Sequence, residues 1–523
     1  MATSPQRVYR AACPNCGAPV DFASAASSSA VCSFCRSTLV RDGEALRRIG
    51  VSAELFDDHS PLQLGASGTR QGVAFTLVGR LQYGYEGGTW NEWHALFDNG
   101  RSAWLSEDNG AYVIAFDAPR PADAPALAGL RAGMRVLADG RAWDVASVVR
   151  AKLVAAQGEL PAPPRLEGEF TVVDLRNSAG EVATLDDVDP QRPGWSVGRS
   201  VLLAELALQG LKEGSEKTLG SRGVECPGCG TTLEVKLATT QSLVCTNCAA
   251  VVDISKGIGA ELAHYQQNNA GHAGAEPQIP LGRTGPLALG GPLLPWQVVG
   301  YLERCDIPAP GDDEETSFWR EYLLYNATAG FAFLVDTDDG WSWVRPVTGA
   351  PEVRGEGARW DGVDYRQRWA YAAKVTWVQG EFYWRVQRDE RAQVTDYEGG
   401  GSAAAKRLSR EQTAGEVTWS AGETLPAAVV AAAFALAPPA LKRDVAPTAF
   451  KASGVPRALI IFLVLMFAVI LLSQCGDDAC DEVKNTFGAA STEYQQCKQR
   501  AGSGVRSGGG SYGGWSSGSG GHK

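Results

Sequence analysis

The sequence predicts a mainly β protein built from two zinc ribbons and two small β-barrel or sandwich modules, followed by one C-terminal transmembrane helix. Three observations carry this. A Cys-x-x-Cys, fifteen-residue spacer, Cys-x-x-Cys pattern occurs twice. Each occurrence precedes a long run of short β-branched and aromatic segments punctuated by Gly, Asn and Asp. One apolar stretch without charge lies near the C-terminus.

The first ribbon spans 10–40 with Cys13, Cys16, Cys32 and Cys35, and the second spans 223–253 with Cys226, Cys229, Cys245 and Cys248. Each Cys-x-x-Cys makes a knuckle with both sulfurs toward one ion, and Gly17 and Gly230 ease the turn. Two knuckles complete a tetrahedron with no position left for water, so the expected cofactors are two structural zinc ions. Ordering a ribbon costs roughly 35 kcal/mol of conformational entropy, at ~1.5 kcal/mol per residue. Structural zinc supplies about 10–16 kcal/mol toward that. Nothing upstream of Cys13 resembles a secretory signal, which favours reduced thiolates over disulfides.

The first β module is expected over 60–212, with "FTLVGRL", "EWHALFD", "RVLADGRAWDVASVV" and "EFTVVDL" as strands. The second is expected over 285–437, with "WQVVGYL", "EYLLYN", "FAFLVD", "AAKVTWVQ" and "FYWRVQ". "DNG" at 98–100 and "DDG" at 338–340 read as turns, and 41–70 and 257–291 as connectors. The modules repeat one another. "LVGRL" answers "VVGYL", "WNEW" at 90–93 answers "WREY" at 319–322, and "QGEL" at 157–160 answers "QGEF" at 379–382. From Trp90 to Ala103 and from Trp319 to Ala332 the separation is thirteen residues. Each module closes on an apolar run, 201–211 and 427–437, expected as a short helix. A period this long marks domain duplication.

From Ala458 to Ser473 the chain reads "ALIIFLVLMFAVILLS", sixteen residues without charge. As a helix it would span ~24 Å, short of a ~30 Å bilayer core. Arg457 at one end and Gln474 at the other, or local thinning, can close that gap. The transmembrane helix is therefore placed at 458–474 and a Gly/Ser-rich tail at 475–523. Lys442, Arg443, Lys451 and Arg457 precede the segment, while Asp477, Asp478, Asp481 and Glu482 follow it. The positive-inside rule then puts the N-terminal bulk in the cytoplasm and the tail outside, in a single-pass inner-membrane topology. A disulfide between Cys480 and Cys497 suits the exterior.

Composition limits the function. A formal net charge of -11 disfavours nucleic-acid binding. No Lys or Arg lies between Cys13 and Cys35, and only Lys236 lies between Cys226 and Cys248. The five histidines form no nucleophile or metal pattern, and His94 reads as a surface strand residue because its counterpart is Leu323. "GDDEE" at 311–315 reads as a solvated loop. Trp90, Glu92 and Trp93, with Trp319, Glu321 and Tyr322, are candidate binding residues: an aromatic shelf beside a carboxylate suits a cationic or peptide ligand. The competing reading is packing within a small barrel.

The aliphatic-Val-Gly, Trp-x-Glu-[Trp/Tyr] and Ala-aromatic-Leu series resembles the bacterial family known as domain of unknown function DUF4178, over roughly 60–210 and 285–437. Trp93 departs from the Tyr more common there. The resemblance implies no assigned activity, and it implies company with membrane-associated stress or polyamine-synthase-like systems. The expected function is a membrane-anchored cytoplasmic scaffold, not an enzyme, that binds protein partners. The alternatives are a nucleic-acid-binding zinc-ribbon regulator and an uncharacterised enzyme acting between the two modules.

Overall fold

The structure, a computed structural model, describes residues 9–436 apart from 23–28, 43–44, 52–59, 87, 109–110, 166, 213–223, 237–239, 255–263, 266, 268–276, 309–315, 327–328 and 387–389. All of these belong to one unit of the chain. The expected membrane helix at 458–474, the tail at 475–523 and the Cys480–Cys497 pair lie outside the described residues. Among those described, no helix is long and apolar enough to cross a membrane.

The duplicated β runs form two antiparallel barrels of identical topology. The first uses β1 Val73–Tyr85, β2 Gly88–Phe97, β3 Ser102–Asp108, β4 Ala111–Asp117, β5 Arg141–Leu160, β6 Phe170–Arg176, β7 Glu181–Asp186 and β8 Gly194–Val201. The second uses β9 Leu294–Ile307, β10 Phe318–Asn326, β11 Gly330–Thr337, β12 Gly340–Val347, β13 Val363–Phe382, β14 Arg391–Gly399, β15 Lys406–Gln412 and β16 Val417–Leu425. Around the first barrel the order is β1-β2-β3-β4-β8-β7-β6-β5 and back to β1, and the second repeats it. Closure removes the exposed edges that an open sheet would leave.

Each barrel closes through its 20-residue fifth strand. In β5, Asp144–Ala151 pair with β6 and Lys152–Gly158 with β1, so one strand leaves one meander and joins the other. In β13, Tyr365–Lys374 pair with β14 and Ala372–Gly380 with β9. The repeated motifs meet at this corner. Gly79 of "LVGRL" pairs with Gly158 of "QGEL", and Gly300 pairs with Gly380. A Cβ on Gly79 would sit 1.9 Å from the Glu159 carbonyl oxygen, and one on Gly158, where φ is +71°, would sit 2.3 Å from that of Val78. Neither position tolerates a side chain.

The outer face of the first meander buries Phe75, Leu77, Trp93, Leu105 and Ile114 beneath Leu206. The matching face of barrel two buries Trp296, Tyr322 and Trp341 beneath Val430 and Phe434. The apolar run after each module is thus a lid on the barrel wall. In barrel two it is helix α1, Ala427–Ala433. In barrel one it is only a single 3-10 turn, Leu203–Leu206, because the chain turns left-handed at Ala207, where φ is 45°. The expected connectors also contain paired strands, among them Ala45–Val51, Ser67–Arg70 and Thr284–Leu287. Of "FYWRVQ", Phe382 stays in the strand, while Tyr383, Trp384 and Val386 leave it to pack in the core of barrel two.

Gly79→Ala is expected to cost about 2 kcal/mol or more, lowering the thermal midpoint by roughly 4–8 °C. Gly72→Ala has open space at its Cβ. It should cost less despite its positive φ, and calorimetry of the two variants measures the difference.

Candidate metal centres and their docking

Four knuckles in two ribbons share one backbone design. The residue after each second cysteine adopts a left-handed φ: 76° at Gly17, 56° at Arg36, 74° at Gly230 and 57° at Ala249. Its N–H donates to the carbonyl of the first cysteine, at 2.8 Å for Gly17 to Cys13 and 2.9 Å for Ala249 to Cys245. The first cysteine's own N–H donates onward, as from Cys32 to Ser37 at 3.0 Å and from Cys226 to Thr231 at 2.9 Å. Only two of the four positions carry the glycine that such a conformation favours, so the turn is imposed by these bonds as well as by residue type.

The knuckles bring the sulfurs together. Within each set of four, the Sγ atoms lie within 4.8 Å of one another. Cys13 and Cys35 are 3.6 Å apart, Cys16 and Cys32 3.7 Å, Cys226 and Cys248 3.7 Å, and Cys229 and Cys245 3.6 Å. Thiolates bound to zinc at ~2.3 Å sit ~3.8 Å apart along a tetrahedron edge, so both sets are able to hold a metal ion and their spacing fits zinc. Second-sphere donors are in place: Asn15 N–H lies 3.4 Å from Cys13 Sγ, and Asn247 Nδ2 lies 3.6 Å from Cys229 Sγ. Cys305, buried in barrel two, belongs to neither set; burial pushes its thiol up to about 11.

Each ribbon extends its barrel. The ribbon strand Ser29–Val31 pairs with the end of β5, Leu160 with Ser29 through Gly158 with Val31. The strand Ser242–Val244 pairs with the end of β13, Ser242 with Phe382 and Leu243 with Glu381. Side chains lock the joint. Ser29 Oγ donates to the Ala162 carbonyl at 2.9 Å. In the second unit Glu381, 6% exposed, accepts from Thr240 Oγ1 at 2.7 Å and from the Lys236 N–H at 3.2 Å. Gln267 bridges ribbon and barrel: its Nε2 donates to the carbonyls of Ala249 and Val378, and its Oε1 accepts from the Val378 N–H at 2.8 Å. Arg385 pairs with Asp253 at 2.6 Å. Sequence reasoning placed Gln267 in a connector; no local pattern distinguishes a clasp glutamine from its neighbours in "QQNNAGHAG".

Residues 63–203 and 293–427, more than half of the chain, match the family described as Domain of unknown function (DUF4178). The chain belongs to that family. Both DUF4178 matches cover a barrel and leave out the cysteines of the ribbon docked on it. No curated protein and no solved structure matches the chain.

The Trp-x-Glu-[Trp/Tyr] residues lie inside the DUF4178 modules. Trp90, Glu92, Trp93, Trp319, Glu321 and Tyr322 are all buried, at 8% exposure or less. They form no open shelf for a partner, and the packing reading fits them. Trp93 Nε1 donates to Glu107 Oε2 at 3.1 Å, while Trp319 Nε1 donates to Glu321 Oε1 at 2.8 Å. Glu321 also accepts from Arg304 at 3.2 Å, and Arg304 reaches Glu411 at 2.8 Å. Burial opposes the charge on Arg304, but Glu411 and Glu321 outweigh it and hold its pKa above the ordinary value. Barrel one has Tyr83 at the equivalent place, opposite Trp90 as Arg304 is opposite Trp319. Burial, with Glu92 and Asp186 nearby, raises the Tyr83 pKa.

His94 is not on the surface. It is 1% exposed, with Nδ1 3.0 Å from the Glu159 carbonyl and Nε2 3.0 Å from Ser102 Oγ, and burial lowers its pKa. The end of β5 and the neighbouring β3, with Trp104 5.4 Å away, enclose the ring at this position.

Elemental analysis of the reduced, purified chain should give two zinc equivalents. Cys16→Ser and Cys229→Ser should each remove one and leave the other, since the two sets of ligands share no residue.

Proposed function

We propose that the chain is a membrane-anchored cytoplasmic interaction protein, not an enzyme, in which two ribbon–barrel units bound to structural zinc act as one platform for protein partners. The observation that carries this reading is that the two units are joined through their backbones. Val148 N–H donates to the Gly415 carbonyl at 3.2 Å, and Ala350 N–H donates to that of Asn177 at 3.1 Å. A bridge pairs Ser147 with Glu416, and Gln412 Nε2 reaches the Ala132 carbonyl. A platform of fixed geometry presents its loops to a partner without an ordering cost at each encounter.

Zinc is the metal this reading requires. Four thiolates leave it closed, so it supplies cross-linking and no Lewis-acid chemistry. A zinc ion with four thiolates carries a double negative charge, which opposes phosphate and weighs against the nucleic-acid reading. The apolar stretch at 458–473 supplies the anchor, and the basic residues before it support a cytoplasmic platform. The enzyme reading gains one point of support, a cavity between the barrels, whose lining is better suited to binding, as argued below.

Alkaline extraction of membranes tests the anchor. The full chain should stay in the membrane pellet, and a chain ending at Leu436 should become soluble while retaining both ribbons and barrels. Full extraction of the intact chain would contradict the reading.

A further inference from the structure

Between the two barrels lies a cavity of about 840 Å³ whose wall comes from both modules. That volume is typical of a small-molecule site. Phe331, Tyr383, Tyr397 and Trp419 supply apolar wall. Its charged lining is unbalanced: Arg135, Arg176, Arg345 and Arg410 face only Asp144 and Glu416.

The carboxylates do not serve all four cations. Asp144 is held by Arg135 through two bonds at 2.8 and 2.9 Å, and Glu416 and Asp174 act on Arg176. Arg345 donates to the Ala329 carbonyl and lies over the Trp296 ring at 5.2 Å. Arg410 donates to Gln412 Oε1 at 2.7 Å. Among the described residues neither Arg345 nor Arg410 has a carboxylate partner. Burial pushes both of their pKa values down; at Arg345 nothing opposes it, and at Arg410 the nearby Tyr397 and Asp144 do not outweigh it.

The barrel itself does not call for these arginines. Gly198 of β8 and Gly422 of β16 are equivalent, each pressed against the fourth strand of its barrel. Counting from them, Arg345 matches Phe116 and Arg410 matches Leu185. The same fold is therefore built with apolar residues at both places in barrel one, and with two half-buried cations in barrel two, where the wall faces the cavity.

We propose that this cavity binds a small organic anion, an aromatic or aliphatic body bearing one carboxylate, phosphate or sulfonate group, with Arg345 and Arg410 supplying the charge that receives it. The site exists only in the tandem, because neither module alone encloses it. It does not depend on the membrane-scaffold reading.

The test is fluorescence titration of the full chain with anilinonaphthalene sulfonate and, in parallel, with the uncharged phenylnaphthylamine of the same ring system. The sulfonate should saturate at one equivalent and weaken with salt, while the neutral compound should bind at least tenfold more weakly. Arg345→Gln and Arg410→Gln, checked for folding by circular dichroism, should each weaken the sulfonate about tenfold, equivalent to ~1.4 kcal/mol, and leave the neutral compound unchanged. Equal binding of the two compounds by the unaltered chain would overturn the proposal, as would the absence of a saturable site. Unchanged sulfonate affinity in either folded variant would do the same.

Discussion

The backbone pairing between each ribbon and the fifth strand of its barrel is the contact on which the rest of the structure depends. A four-cysteine ribbon has a core of only a few residues, here Cys13, Val20, Ala30, Cys32 and Leu39 in the first copy. A bound metal would give it a fixed shape, and that shape presents a strand edge. The barrel's fifth strand runs past its last barrel partner and offers a matching edge, so pairing removes two exposed edges at once. The glycine pairs at this corner let the strands approach closely enough for it to form, and the Glu of Gln-Gly-Glu-[Leu/Phe] then lies buried in both copies.

Duplication has left the two barrels alike in topology and different in interior chemistry. Each carries an aspartate with 0% exposure on its sixth strand, Asp174 and Asp396. Asp174 accepts from Ser147 and Thr184, and Asp396 accepts from Tyr371. Beyond that shared feature, barrel two has sealed a guanidinium between two glutamates, an arrangement whose desolvation consumes much of the attraction and whose disruption costs about 3–5 kcal/mol. Barrel one fills the same place with Tyr83 stacked on Trp90 at 5.0 Å. The Trp and Glu positions recur in both barrels although the residue packed against the Trp differs, and in both they are buried.

The ribbons, the duplication and most strands were legible in the sequence because each is a local signal: fixed cysteine spacing, period-two alternation, turn dipeptides. The meaning of the repeated motifs was not legible. "LVGRL" and "QGEL" are some eighty residues apart, by the numbering of Gly79 and Gly158, and touch only because a strand changes sheets. His94 read as a surface residue because its counterpart is Leu323, and the Trp-x-Glu-Trp group read as either a shelf or packing, because the sequence does not show that both faces of these strands are covered, one by the barrel interior and the other by lids. The 3-10 turn at Leu203 was expected as a helix from its apolar run, and the cavity arginines carry no sequence pattern at all.

Hydrogen exchange before and after zinc chelation tests the docking account most directly. Stripping the metal should strip protection from 226–254 and, with it, from the end of β13 at Gly380–Phe382, while β9–β12 and β14–β16 stay protected. Loss of protection confined to the knuckles, with Gly380–Phe382 unaffected, would contradict the claim that metal, ribbon and fifth strand form one cooperative joint.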